Sequence, residues 1–514
     1  MLTTKHPRYL KKKLFFYSSA IILAILAIIA FFIQKPHMLT ISTVWAILSA
    51  ISVITITIVI IIERKSSAHT FAWLLVLLFI PVLGIFFYLT LGRNFRKRKM
   101  FSDKELVDRI EFKSMYKFLN SSYANKELFK TPLSHRISHL LHKNSKAFLS
   151  EYNRVNIYPD GNKLFGAMFK DIAQAKQHIH LEYFAFATDH LGKELSALLI
   201  RRAKEGVKVR IIVDDVGSWK FRFTLGKKLS KHGVECHYFN KVRLPFFNSR
   251  FNYRNHRKIV VIDGKIAYLG GLNIGDKYAS RDKYFGYWRD THMRIIGGSV
   301  YALQTVFLTD LFFVSKEYLF KQEFYPEVGL EDKLPMQIVT SGPDSNWESI
   351  MQIYFSAITK AQNKIYITSP YLILNESLSM ALITSALSGV DVRIIVPGKA
   401  DHIVVFWGTR SYYQELMEAG VKIYEYQRGF IHAKVMLVDG EVCSIGTANM
   451  DIRSFVQNFE INGLIYDEKT TREMEKQFFE DIENSRLIRL QDVDNISFFT
   501  KLKIGVARLF SPIL

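Results

Sequence analysis

The chain opens with three apolar stretches free of charged residues: 14–33, 38–62 and 71–91, of 20, 25 and 21 residues. About 20 apolar residues span the hydrocarbon core of a bilayer, so each stretch is long enough to cross one. Lys11, Lys12 and Lys13 precede the first stretch, as in a secretory leader. The stretch is too long for a leader, no small-residue cleavage site follows, and the next apolar run begins at once. Basic residues set the orientation. Lys5, Arg8 and the lysine triplet precede the first run, and Lys35 stands with His37 in the first connection. Arg64 and Lys65 follow the second run; Arg93, Arg96, Lys97, Arg98 and Lys99 follow the third. Two crossings put the N-terminus and the second connection in the cytoplasm. Pro81 and Gly84 interrupt the third run and predict a kinked or re-entrant segment, with everything after residue 92 on the cytoplasmic side. Three full crossings are the alternative. The expected localisation is the cell membrane, multi-pass.

The pattern changes after a charged, helical linker over 93–145, where one passage occurs twice. His178-Ile-His-Leu-Glu182 alternates as a strand begins, helical periodicity runs to Glu205, and Gly206-Val-Lys-Val-Arg-Ile-Ile-Val213 follows. The second copy has Lys364-Ile-Tyr-Ile-Thr368, a helix near 376–388, and Gly389-Val-Asp-Val-Arg-Ile-Ile-Val396. Each continues into a helix that ends in Gly-Val, at Gly233-Val234 and Gly420-Val421, and then a strand. This order predicts α/β architecture: a mixed, mainly parallel sheet covered by helices in each half, with the halves related by a pseudo-twofold. The expected organisation is a membrane region 1–92, a helical linker 93–145, a first half 146–335, a second half 336–490 and a basic amphipathic tail 491–514. From Gly233 to His256 is 23 positions, against 12 from Gly420 to His432. The extra residues include Lys241, Arg243, Phe246, Phe247 and Arg250, either a solvated loop or a basic-aromatic contact to lipid. Within that tail, residues 497–514 combine Phe498, Leu502 and Phe510 with Lys501, Lys503 and Arg508 and no acid. It reads either as a buried terminal helix or as a segment lying in an anionic lipid surface.

Composition narrows the partners. Of 514 residues, 49% are hydrophobic, too many for a disordered chain. Two cysteines, Cys236 and Cys443, exclude a disulfide scaffold and a cysteine-based zinc module. The net charge of +22 points to an anionic partner.

Each repeat ends in one motif. The first is His256-Arg-Lys258-Ile-Val-Val-Ile-Asp263 with Gly270-Gly-Leu-Asn273; the second is His432-Ala-Lys434-Val-Met-Leu-Val-Asp439 with Gly446-Thr-Ala-Asn449. His to Lys is two positions, His to Asp seven and His to Asn seventeen in both. The intervening residues are apolar and β-branched, so the motif is a strand with His and Lys on one face. Two copies about a twofold axis set two imidazoles and two ammoniums around one phosphorus. That suits phosphodiester exchange: one histidine attacks phosphorus, and the other protonates the leaving alkoxide and then deprotonates the incoming alcohol. Lys258, Lys434, Asn273 and Asn449 neutralise the non-bridging oxygens. The lysines supply the positive charge, so no metal and no cofactor is expected. Asp290 and Glu460, 34 and 28 residues after His256 and His432, are the candidates to orient those histidines. Asp263 and Asp439, the remaining members of the catalytic motif, are read as strand-end anchors through salt bridges. The chain lacks a G-x-x-x-x-G-K-[ST] phosphate loop and an Asp-Gly-x-x-Ala-Arg signature.

The duplicated motif resembles that of the phospholipase D superfamily. The whole chain resembles its bacterial cardiolipin synthases through Phe71-Ala-Trp-Leu-Leu-Val-Leu, Pro81-Val-Leu-Gly, Asn255-His-Arg-Lys-Ile-Val-Val-Ile-Asp-Gly, Phe285-Gly-Tyr-Trp-Arg-Asp-Thr-His, Ser341-Gly-Pro-Asp and Gly446-Thr-Ala-Asn-Met-Asp. The apolar segment 14–33 departs from that pattern. The resemblance implies transfer between two phosphatidylglycerol molecules, giving cardiolipin and glycerol through a phosphohistidine. It implies His256 as nucleophile and His432 as acid/base, an assignment that sequence symmetry leaves open. The implied partners are phosphatidylglycerol, cardiolipin and an anionic membrane, with no nucleic acid and no obligatory protein partner. A membrane-bound phospholipase D-type hydrolase is the alternative, differing in whether water or an alcohol accepts the phosphatidyl group. Intact His and Lys in both copies speak against a non-enzymatic scaffold. His135, His139 and His142 at helical spacing, and His178 and His180 on a strand, are read as surface or packing residues, and both cysteines as small core residues.

Overall fold

The computed structural model describes residues 131–509 except 243–251 and Asn346, with Ser511 and scattered positions between 47 and 129. The chain divides into two compact units, residues 1–96 and 97–514. In the first, Trp73 meets Tyr88 edge-on at 5.3 Å, beside buried Ile56 and Leu77. Among the described residues no helix is long and apolar enough to cross a membrane. The apolar run 14–33, most of 38–62 and 71–91, and the 243–251 part of the first-half insertion lie outside the described residues.

The second unit is built twice. The first half runs α1 (Pro132–Asn144), β1 (Leu149–Asp160), α2 (Gly161–Ala173), β2 (His178–Tyr183), α3 (His190–Lys204), β3 (Lys208–Asp214), α4 (Trp219–Phe223), α5 (Leu225–Lys231), β4 (Glu235–Phe239), β5 (Lys258–Ile262), β6 (Ile266–Gly270), β7 (Tyr287–Gly297) and α6 (Ser299–Ser315). The second runs β8 (Lys333–Ser341), α7 (Ser349–Lys360), β9 (Lys364–Thr368), β10 (Leu372–Ile373), α8 (Glu376–Leu387), β11 (Asp391–Pro397), α9 (Ile403–Arg410), α10 (Tyr413–Glu418), β12 (Lys422–Tyr426), β13 (Gly429–Ile431), β14 (Val435–Val438), β15 (Val442–Gly446), β16 (Met450–Asp451), α11 (Ile452–Val456), β17 (Glu460–Ile465), α12 (Glu468–Glu483), β18 (Ser485–Leu487), α13 (Leu490–Asp494) and α14 (Phe498–Leu509).

The main sheet has the order β18-β12-β11-β9-β14-β15-β17-β8-β1-β7-β6-β5-β2-β3-β4. Read outward from the antiparallel β1–β8 pair, the two sides match strand for strand as far as β4 and β12, with β18 added at the edge of the second half, so the pseudo-twofold passes between β1 and β8. The strands expected from the repeat are all present. The expectation of mainly parallel pairing is corrected. Only β2-β3-β4 and β9-β11-β12 are parallel along this path. From β2 through β5, β1, β8 and β14 to β9 every neighbour is antiparallel. The motif strands β5 and β14 each turn back through a tight hairpin at Asp263-Gly264 and Asp439-Gly440, which crossover spacing alone does not reveal.

Helix ends follow local chemistry. Asp189 caps α3 by accepting from Gly192 N, and Asn375 caps α8 by accepting from Leu378 N. Gly206 and Gly389, at φ +93° and +92°, let the chain leave those helices through a left-handed turn that a side chain would strain. β2, β5, β14 and β17 are buried on both faces because helices cover the sheet, and β5 and β14 read as continuous apolar runs for that reason.

Candidate active site

His256 and Lys258 stand at the entry to β5, and His432 and Lys434 at the entry to β14. Each histidine is fixed by the backbone of the other half. His256 N donates to Phe459 O at 2.9 Å, and His432 N donates to Arg289 O at 2.7 Å. The parallel contacts of Asn255 with Phe459, and of β13 with β7, set this geometry. Phe459 and Arg289 immediately precede Glu460 and Asp290, so each acid arrives beside the opposite histidine. His256 Nδ1 lies 2.9 Å from both oxygens of Glu460. His432 Nδ1 lies 2.8 Å from Asp290 Oδ2. The acids named from sequence are those that meet the imidazoles, but the pairing within each half is corrected: the partners are exchanged across the twofold. Where Nδ1–H of His256 donates to Glu460, its Nε2 carries the free lone pair; His432 Nδ1 lies 2.8 Å from the Lys434 ammonium as well as from Asp290.

Lys258 Nζ donates to His256 O at 2.7 Å, and Lys434 Nζ donates to His432 O. Both lysines are buried and lie within each other's field and that of both acids. Burial pushes the Lys258 ammonium down to about 7 and that of Lys434 to about 8, against the pull of Glu460 and Asp290. Burial also lowers His256, opposed by Glu460, and takes His432 well below the usual histidine value, reinforced by Lys434. Both rings are therefore neutral at pH 7 in the free site. Burial raises Asp290; it also works upward on Glu460, but His256 and Lys258 outweigh it and hold that carboxyl low.

The two halves build the acids differently. Thr447 Oγ1 donates to Glu460 Oε2 at 2.6 Å. Its counterpart, Gly271, faces Asp290, where an added Cβ would sit 2.1 Å from Oδ1. Gly271→Ala should therefore displace Asp290 and reduce turnover about as much as Asp290→Asn; comparing the two rates checks this.

Asn273 and Asn449 are buried beside the motif strands. Asn273 Oδ1 accepts from Ala185 N at 3.0 Å, and its amide donates to Tyr278 Oη. Asn449 Nδ2 donates to Asp451 Oδ2 at 3.0 Å. Each amide keeps a second hydrogen. Asp263 and Asp439 lie elsewhere, at the far ends of β5 and β14. Five residues of strand put Asp263 about 16 Å from Lys258. Asp263 accepts from Lys176, Gln177 and His178 N, and Asp439 from Gln362, Asn363 and Lys364 N, at 2.7–2.9 Å. They anchor β2 and β9 through backbone amides rather than salt bridges, and they do not face the reacting groups.

Sequence reading missed a charged cluster behind His256. Arg257 pairs with Asp310 of α6, and Lys104 Nζ lies 2.7, 3.1 and 2.9 Å from Asp108, Asp310 and Asp344. Arg257 Nε also reaches Glu460 O at 3.4 Å. Phe101, on the segment that carries Lys104, packs edge-on against Phe459 at 5.2 Å. Asp310 stands alone as a charge inside an apolar helix, and that was the available signal. Lys104→Met leaves buried carboxylates without their cation and should cost about 3–5 kcal/mol of stability, read by thermal unfolding. Near the sheet, His178 and His180 share Gln304 at 3.2 Å and Cys443 is buried, as read from sequence, whereas Cys236, also expected in the core, is half-buried. Among the described residues no group of His, Cys, Asp and Glu is arranged to hold a metal ion.

Fold and site together define a duplicated phospholipase D-like unit with one composite centre. A cardiolipin synthase, phospholipase D-like domain model matches residues 168–283 and 354–482, and a phospholipase D-nuclease N-terminal model matches 43–93. The cardiolipin synthase of a Geobacillus species is 43% identical over 472 residues, covering 91% of this chain and 93% of that protein. That of Alkalihalophilus pseudofirmus is 42% identical, covering 96% and 98%. The chain belongs to the cardiolipin synthase family. Phosphatidylserine synthase of Haemophilus influenzae shares the fold, with a TM-score of 0.56 at 13% identity over 75% of this chain and all of that one.

Proposed function

We propose that this protein is a cardiolipin synthase, transferring a phosphatidyl group between two phosphatidylglycerol molecules to give cardiolipin and glycerol. The observation that carries this reading is the exchange of acids across the twofold, which gives two oriented imidazoles and two buried ammoniums in one centre. His256 Nε2 attacks phosphorus while Glu460 stabilises the charge that develops on the ring. His432 delivers a proton to the departing glycerol oxygen; the phosphate bound between Lys258 and Lys434 offsets the burial that otherwise keeps that ring neutral. The phosphatidyl group then rests on His256. The hydroxyl of a second phosphatidylglycerol gives its proton to His432 and attacks phosphorus, freeing His256. Bonds and protons balance over the cycle, so no nucleotide is consumed. Lys258, Lys434, Asn273 and Asn449 hold the non-bridging oxygens as charge spreads. The apolar segments at 14–33, 38–62 and 71–91 anchor the chain in the cell membrane, with the catalytic unit on the cytoplasmic side.

Acid-labile, base-stable label on the protein, recovered after an alkaline or detergent quench from phosphatidylglycerol labelled at phosphorus, tests the intermediate, because the phosphorus–nitrogen bond of a phosphohistidine breaks in acid and survives base. Label should appear on His256 in the wild-type protein; catalytic turnover with no protein-bound label under rapid quench would contradict it. The free site also dictates a pH profile. Ammoniums are charged below their pKa, so their contribution is complete only well below about 7 and is lost as pH rises through about 7 for Lys258 and about 8 for Lys434. The ratio kcat/KM, which reports the free enzyme, should fall on that alkaline limb. A Lys258→Arg variant that retains activity should move the limb upward.

Glu460→Gln and Asp290→Asn should each slow turnover less than loss of a histidine. Because the acids are exchanged, Glu460→Gln should lower the His256 pKa further, by removing the negative charge that raises it, while Asp290→Asn leaves that ring nearly unchanged. Imidazole titration by NMR distinguishes the two.

A further inference from the structure

We propose that α4, α9 and α14 form a bilayer-docking surface that seats the active-site mouth against an anionic leaflet. This rests on the reading that the substrate is a membrane phospholipid.

α14 carries its apolar stripe outward. Phe498, Phe499, Leu502, Val506 and Leu509 follow helical spacing and are all exposed, Phe498 and Phe499 at 74% and Leu509 at 78%. Ala507 is the buried residue of this helix. A helix that packs on a core does the reverse. The same helix holds Lys501, Lys503 and Arg508 and no acid. Apolar and basic residues on one exposed helix match the boundary between headgroups and acyl chains of an anionic leaflet.

The stripe does not stand alone. α14 lies against α9: Lys503 sits 5.7 Å from the Trp407 ring, and Arg508 donates to Ser411 O at 2.8 Å and pairs with Glu415 at 3.1 Å. α9 adds exposed Ile403 and Val404. These lie two and three residues after Asp401, whose carboxylate acts on both His432 and Lys434 and accepts from Tyr371 Oη. The apolar surface therefore begins at the rim of the reacting centre.

The first half repeats the arrangement at the matching place. α4 follows β3 as α9 follows β11. It exposes Trp219 and Phe223, 5.5 Å apart, beside Lys220 and Arg222. Arg222 pairs with Asp215 at 3.0 Å, and neighbouring Asp214 accepts from Asn255 N at 2.9 Å, next to His256. Both rims of the composite site thus end in exposed apolar residues among basic ones. A lipid phosphate reaches the histidines from a leaflet lying across those rims, without leaving the bilayer entirely.

Full-length Phe499→Cys protein in a Cys236→Ser/Cys443→Ala background, labelled with an environment-sensitive fluorophore, tests this without depending on turnover. In phosphatidylglycerol vesicles the label should shift to the blue and be quenched by brominated acyl chains. Emission that stays water-like in those vesicles would overturn the proposal. Independently, Phe499→Asp/Leu502→Asp should lower cardiolipin formation on vesicles at least tenfold and change it less than twofold on detergent-dispersed substrate. Equal loss in both assays, or no loss on vesicles, would also overturn it. Absence of cardiolipin from wild-type protein in detergent would instead contradict the proposed reaction, leaving the fluorescence result to decide the surface.

Discussion

His256→Ala should abolish cardiolipin formation, by at least about 10⁴-fold, while the protein stays folded and membrane-bound. The ring is placed for attack by three separate features: its backbone bond to Phe459, the Glu460 carboxylate on Nδ1, and burial that keeps it neutral. His432→Ala should be as severe, because its proton is needed both to release glycerol and to activate the acceptor. The two losses should not multiply in the double variant, since each alone stops the same cycle. Mixing the single variants should restore nothing if one chain holds the whole site. Near-normal turnover by either single variant would exclude the division of labour between the rings.

Lys258→Met and Lys434→Met should each cost about 10²–10³-fold in kcat, or roughly 3–4 kcal/mol of transition-state stabilisation. The effect is large because both ammoniums are buried, where a charge opposite a phosphate oxygen is poorly screened. Arginine at either position should restore only part of the rate. Its fork is wider than an ammonium, and the lysine's bond to the preceding histidine carbonyl is lost. Product assays at saturating phosphatidylglycerol measure kcat directly, and a wild-type rate in either methionine variant would remove the lysines from the mechanism.

The duplication made much of this legible. Spacing of His256, Lys258 and Asn273 against His432, Lys434 and Asn449 located the centre, because side-chain period two fixes what shares a strand face. The helices and strands of the repeat also followed from pattern. Three things did not. The exchange of Asp290 and Glu460 depends on β13 lying beside β7 and Asn255 beside Phe459, which are contacts between distant segments. The antiparallel hairpins turn at Asp263-Gly264 and Asp439-Gly440, with both aspartates at φ +52°; the Asp-Gly pair is a hairpin signal, and reading each aspartate only as a strand-end anchor passed over it. The Lys104, Asp310 and Asp344 cluster joins residues more than 200 positions apart, so no local signal ties them together. The tail reads from sequence as either a buried helix or a lipid-facing one, and the exposure of Phe498 and Phe499 speaks against the buried helix.

The central claim is that an alcohol, not water, receives the phosphatidyl group at the His256–His432 centre. Purified full-length protein in vesicles of phosphatidylglycerol labelled in the headgroup glycerol tests it most directly. Cardiolipin and free glycerol are expected in equal amounts, with no metal or nucleotide added, and neither product from His256→Ala. Phosphatidic acid with glycerol, and no cardiolipin, would contradict it and establish a hydrolase.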